Sequence, residues 1–138
     1  MTVDTIAGLK AKMPAGTPGG TTIADIYDLL DTMEDFTSQQ VLVKTASYEA
    51  VAADNRRRIT FNSASAVTLT LPNSLPVGWE CVIMQLGAGA VTVAVTGGNL
   101  RHLNTHVKTG GLYAQAYLFV YANAGSAPEV AFSGQTST

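Results

Sequence analysis

Residues 58–96 read RITFNSASAVTLTLPNSLPVGWECVIMQLGAGAVTVAVT, and this stretch decides the fold class. Arg58-Ile59-Thr60-Phe61 is a strand, and Asn62-Ser63-Ala64-Ser65 is a turn. Val67 to Leu71 alternates cleanly, with Val67, Leu69 and Leu71 on one face. Pro72 stops that strand because it has no amide hydrogen to give a ladder. After the turn Pro76-Val77-Gly78, Trp79 to Leu86 is a strand. Trp79, Cys81, Ile83 and Gln85 share one face, and Val82, Met84 and Leu86 the other. Gly87-Ala88-Gly89 turns, and Val91 to Val95 returns. Short strands with turn signals at this spacing predict a mainly β domain, a β-sandwich or jelly roll.

The same pattern extends both ways. Upstream, Val41-Leu42-Val43 and Tyr48-Glu49-Ala50-Val51 are short strands, and Asp54-Asn55-Arg56 is a turn. Downstream, Gly97-Gly98-Asn99 turns and Leu112 to Tyr121 is a long strand. Leu112, Ala114, Ala116, Leu118 and Val120 form its apolar face, with Tyr113, Gln115, Tyr117, Phe119 and Tyr121 opposite. Glu129 to Phe132 closes the domain, and Gly134 onward is a polar tail. The β-domain therefore spans 41–134.

Two segments precede it. Residues 1–20 end in Pro14-Ala15-Gly16-Thr17-Pro18-Gly19-Gly20, which predicts a flexible or extended arm. Residues 21–37 predict one short helix, with Thr22 as N-cap and Asp25 three residues on. Ile23, Ile26, Leu30 and Met33 follow the a and d spacing of a heptad. Two heptads are too short to hold together alone. The helix either packs on its own domain or meets its copies; the preceding arm favours the copies, so these four residues are the expected oligomerisation seam.

Composition narrows the function. The chain has 138 residues, 46% hydrophobic and 13% charged, about half the ~25% charge of an ordinary soluble domain. A surface so poor in charge is simplest to keep soluble by burying part of it between subunits. A net charge of −2 gives no global pull toward nucleic acid or anionic membrane. The first residues lack the apolar core of a leader, and no run is long enough to insert in a membrane. One cysteine rules out an intrachain disulfide framework and any Cys-rich metal site.

Each candidate site has a plainer reading beside it. His102 and His106, four apart, would share a helix face as metal ligands, but they lie in a loop or strand and have no third ligand nearby. A subunit axis could gather one from each copy. Cys81 could be a nucleophile, though within an apolar strand it reads as an inert hydrophobe. Arg56-Arg57-Arg58 could touch phosphate or a charged glycan, or simply stand in solvent or pair with acids. Neither glycine cluster opens a helix with a following Lys-Ser/Thr, so neither reads as a phosphate loop. Tyr113, Tyr117 and Tyr121, with Phe119, form a candidate ligand-contact surface for carbohydrate; the competing reading, sheet-on-sheet or subunit core, is favoured. Glycoside hydrolysis needs two carboxylates at a set separation. After the helix only Glu49, Asp54, Glu80 and Glu129 remain, none with a partner close in sequence. No enzyme and no cofactor are expected.

The run YEAVAADNRRRITFNSASAVTLTLP (48–72) and its continuation PVGWECVIMQLGAGAVTVAVTGG (76–98) resemble a module of bacteriophage tail-fibre, head-fibre and capsid-decoration proteins. The shared pattern is an Ala-Asp-Asn turn, an Ile-x-Phe strand, a Val-Thr-Leu-x-Leu-Pro strand, Gly-aromatic, then Gln-x-Gly-x-Gly-x-Val. A later Tyr-Ala-x-Ala stretch also fits, so the likeness covers about residues 45–135. That family often has Gly after Asp-Asn, where this chain has Arg56. The resemblance implies a homotrimeric knob on the virion surface, assembled in the host cytoplasm, whose partners are itself and capsid or tail proteins. A short arm, short helix and single knob suit a capsid decoration or head fibre. A tail-fibre tip or a module binding a host-surface glycan is the alternative.

Overall fold

A computed structural model describes Ile26, Tyr27 and residues 41–138. Ile26 and Tyr27 are helical. The expected arm (1–20) and the rest of the expected helix (21–37), including Ile23, Leu30 and Met33, lie outside the described residues. The chain divides between Gln39 and Gln40.

From Val41 onward the chain is mainly β. It swings strand by strand between two sheets. β1 (Val41–Lys44), β3 (Arg58–Phe61) and β5 (Glu80–Gln85) lie side by side and parallel in one sheet. β2 (Tyr48–Glu49), β4 (Val67–Leu71) and β6 (Val91–Val95) do the same in the other. Parallel neighbours need a crossover, and here each crossover is a strand of the opposite sheet. Ile59 pairs with Ile83 and Val67 with Val91, so β3 to β5 and β4 to β6 share one offset of 24 residues (59 to 83, 67 to 91). The two turns stack in the same way: the Gly89 amide donates to the Ser63 carbonyl at 2.9 Å. A side chain on Gly87 or Gly89 would run into the backbone of Ser63 or Ser65, so coils stacked this closely require glycine there.

The later strands end the parallel stack. β9 (Gln115–Ala124) runs antiparallel to β5, and β10 (Ala127–Gly134) runs antiparallel to β9. β7 (Asn99–Arg101) lies parallel to β10 at the far edge. In the other sheet β8 (Lys108–Thr109) lies antiparallel to β6, and β11 (Thr136–Ser137) antiparallel to β8. The larger sheet has the order β1-β3-β5-β9-β10-β7, the smaller β11-β8-β6-β4-β2. Of the two expected architectures the sandwich is the one formed; its parallel pairs are foreign to a jelly roll, which is built from antiparallel Greek keys.

Inward residues of both sheets make one core. Ile59, Phe61, Ile83, Leu118, Val120 and Val130 come from the larger sheet, and Leu69, Leu71 and Val91 from the smaller, each at 0% exposure. Fully burying such a side chain is worth about 1.5–3 kcal/mol. Several boundaries differ from the sequence reading: β9 runs on to Ala124, and β10 is longer at both ends than the expected 129–132. The strand expected from Leu112 begins at Gln115, Asn99 opens β7 instead of turning, and the expected polar tail contains β11. Thr136 and Ser137 pair there with Thr109 and Lys108, an edge strand built without apolar residues.

The Ala-Asp-Asn turn is a junction. Asp54, 2% exposed, accepts hydrogen bonds on Oδ2 from the Tyr48 hydroxyl at 2.8 Å and the Val51 amide at 2.9 Å. Asn55 Oδ1 accepts from the Glu80 amide at 3.0 Å, and Trp79 Nε1 donates to the Val51 carbonyl at 3.2 Å. Arg56 stands in the left-handed region, φ 61°, the conformation for which glycine is the usual residue. The turn is therefore kept despite the missing glycine. The Arg56 amide donates to the Glu80 carbonyl at 2.7 Å and holds it there.

Candidate functional site

The outward face of the larger sheet carries the candidate ligand-contact residues. Across the strands, Val41, Arg58, Val82 and Tyr117 stand in register, as do Val43, Thr60, Met84 and Gln115. Along β9, alternation places Tyr117, Phe119 and Tyr121 in one row opposite the buried Leu118 and Val120. Tyr117 and Tyr121 are 38% and 45% exposed, so this row is outside the protomer, not in its sheet-on-sheet core. The Tyr117 and Phe119 rings lie 6.5 Å apart with planes 17° from parallel.

Two carboxylates flank the row. Glu80, beside Phe119 on β5, accepts from the Tyr117 hydroxyl at 2.5 Å and lies 3.6 Å from Arg56 Nε. Glu129, on β10, accepts from Arg101 Nε at 2.6 Å, from Asn99 Nδ2 at 2.5 Å and from the Tyr121 hydroxyl at 3.4 Å. The hydrogen bonds from Arg101 and then Asn99 hold the Glu129 carboxyl below its usual range. A general acid for glycoside cleavage needs the opposite shift. The hydrogen bond to the Glu80 carboxylate raises the Tyr117 phenol, with burial second.

Tyr113 is not part of this row. Its backbone sits at φ 64° in the loop between β8 and β9, and its side chain is 63% exposed. The Tyr113 amide donates to the Gln85 carbonyl while the Gln85 amide donates to the Ala114 carbonyl. Two residues thus oppose one, the signature of a β-bulge. The extra residue turns Tyr113 away from the alternation that the sequence pattern implied.

The structure brings His102 and His106 together, but not toward a shared ion. Their rings stack at 4.6 Å, 14° from parallel. The Asn104 and His106 amides donate to His102 Nδ1 at 3.0 and 3.4 Å, so Nδ1 is the bare acceptor and Nε2 carries the hydrogen. That Nε2–H donates to Thr136 Oγ1 at 2.8 Å, and the same oxygen is hydrogen-bonded to His106 Nδ1 at 2.9 Å. Three of the four ring nitrogens are thereby committed within the chain. Among the described residues no group of three or more His, Cys, Asp or Glu side chains could hold a metal. Partial burial, and then the neighbouring His106, lower the His102 pKa from 6.5.

The remaining candidates resolve into frame roles. Cys81 is 2% exposed, and burial, with Asp54 and Glu80 as lesser causes, pushes its thiol up, so the reactive thiolate is suppressed. The arginine run is dispersed: Arg56 faces Glu80, the Arg57 amide binds the Asp54 carbonyl at 3.1 Å, and Arg58 stands on the outward face of β3.

The sequence reading passed over Glu80 and Glu129 as a flanking pair, because they meet only through β9 and β10. Thr136 was passed over because nothing marks one threonine in a polar tail. The 24-residue stacking did leave a signal, in the identities Ile59/Ile83, Ala64/Ala88, Ala66/Ala90, Val67/Val91 and Thr68/Thr92. No family model, no curated protein and no solved structure matches this chain.

Proposed function

We propose that this chain is a non-enzymatic bacteriophage virion structural protein, a homotrimeric capsid decoration or head-fibre protein exposed on the particle. The observation that carries the reading is the role of the residues behind the resemblance. Asp54 and Asn55 clamp the turn, Ile59, Phe61, Leu69 and Leu71 fill the core, and Gly87 and Gly89 let the coils stack. The shared pattern is thus a recipe for a rigid frame, which suits a part that must persist outside a cell with neither cofactor nor disulfide.

The test is co-sedimentation of the purified protein with capsids or with tails, together with its mass in solution. Capsid binding by a trimer is expected. Binding to tails alone would overturn the capsid assignment, and a monomer would overturn the trimer. If the N-terminal seam sets register, Ile26→Asp with Leu30→Asp lowers the solution mass.

A second reading, a tail-fibre tip or a module binding a host-surface glycan, is favoured by the outward exposure of Tyr117 and Tyr121. It predicts glycan-array binding that Tyr117→Ala abolishes.

A further inference from the structure

We infer that copies of this chain meet through the outward face of the larger sheet, the occupant of that face being a second copy. The inference rests on the homo-oligomeric reading above and adds the surface that reading lacks.

The sandwich has two outward faces, and they differ in kind. On the smaller sheet the outward positions are Glu49, Thr68, Thr70, Thr92, Ala94 and Lys108, mostly hydroxyls and charges, as a solvated sheet face should be. On the larger sheet they include Val41, Val43, Val82, Met84, Phe119 and the two tyrosines. Val41 and Val43 are 55% and 64% exposed. A sheet apolar on both faces is stable when both are covered.

The composition of the face matches a protein contact. Tyr, Phe, Met and Arg, which interfaces favour, are present. Lysine, which they avoid, is not among its described outward residues. Its acids are already neutralised in place: Glu80 by Arg56 and Tyr117, Glu129 by Arg101, Asn99 and Tyr121. Covering them strands no unpaired carboxylate, and the face presents little net charge to repel an identical face. Arg58 has the long stem needed to lie across a neighbour's aromatic ring.

The area is of the right order. The six strands range from three residues in β7 to ten in β9, and at about 3.3 Å rise and about 4.8 Å spacing they tile roughly 550 Å² of plane. A contact of ~800 Å² per partner therefore takes in the loops that flank this face as well.

The experiment measures the mass of the full chain by sedimentation and light scattering. It compares wild type with Val43→Lys, Tyr117→Lys and, as control on the other sheet, Thr70→Lys. An oligomeric wild type is expected, with association weakened about 100-fold or more by either Val43→Lys or Tyr117→Lys and unchanged by Thr70→Lys. Circular dichroism confirms folding; should Tyr117→Lys fail to fold, Val43→Lys, at an exposed site, decides alone. An unchanged mass in folded Val43→Lys overturns the inference while leaving the homo-oligomeric reading standing. A monomeric wild type overturns both. Glycan binding by the wild-type oligomer that Tyr117→Ala abolishes without changing its mass also overturns the inference, since it shows the face open to sugar.

Discussion

Inside the core, Thr109 of the smaller sheet donates its hydroxyl hydrogen to the side-chain carbonyl of Gln85 on the larger sheet at 2.5 Å. The same hydroxyl accepts from the Val91 amide at 2.9 Å, and Gln85 Nε2 donates to the Gly87 carbonyl at 3.0 Å. Gln85 and Thr109 are 2% and 1% exposed. Every buried polar group of this bridge has a partner, so it ties the two sheets at one register without an orphaned donor or acceptor.

Thr109→Val leaves both the Gln85 carbonyl and the Val91 amide unpaired. The expected cost is about 2–6 kcal/mol, near 1–3 kcal/mol for each stranded group. Thr109→Ser keeps the hydroxyl and loses one methyl, an expected cost of about 1 kcal/mol. Urea denaturation of the three proteins checks the ranking.

Gly87→Ala and Gly89→Ala each push a methyl into the backbone of the coil below. Backbone cannot swing aside as a side chain can, so each change is expected to cost about 2–4 kcal/mol. A melting temperature equal to wild type would contradict the stacking.

Arg56 holds a left-handed backbone that costs an L-residue about 1–2 kcal/mol. Arg56→Gly relieves that strain and gives up the exposed pair with Glu80, worth little at the surface. Set against glycine's greater freedom when unfolded, the net gain is about 0.5–1 kcal/mol. Equilibrium unfolding in denaturant is the measurement, and a destabilised variant would contradict it.

The His102–Thr136–His106 chain makes stability depend on pH. The folded pKa of His102 is lowered from 6.5, so the neutral ring is favoured in the folded state. Its contribution is present above pH 6.5 and is lost as pH falls through the lowered folded value, because the unfolded chain takes up the proton first. Melting temperature is expected to drop over that window. His102→Asn, which keeps an acceptor for the Asn104 amide, should flatten the drop.

Cys81 offers a last check. Its burial and raised pKa predict no reaction with a thiol reagent such as Ellman's at neutral pH until the domain is unfolded in denaturant. Rapid labelling of the native protein would place the residue elsewhere.

Much of the fold was legible in local pattern. The inward set Val67, Leu69, Leu71, Cys81, Ile83 and Gln85 follows from period-two alternation, and Pro72, Gly78 and Gly97 mark turns that the structure retains. The candidate site was legible only in its β9 row, Tyr117 and Tyr121. Tyr113 departs from it because the bulge at Gln85 breaks the alternation, and Glu80 and Glu129 join it across strands far apart in the chain.

By itself the sequence determined the inward face of the central strands and the place of the main turns, because side-chain alternation and turn chemistry are properties of a few neighbouring residues. Only the tertiary structure decided which strands pair. β1, β3 and β5 stack in parallel, β9 comes between β5 and β10, and Thr136 reaches two histidines some thirty residues away. Those choices are made between distant segments, where burial of a common core and satisfaction of backbone hydrogen bonds outweigh any local preference.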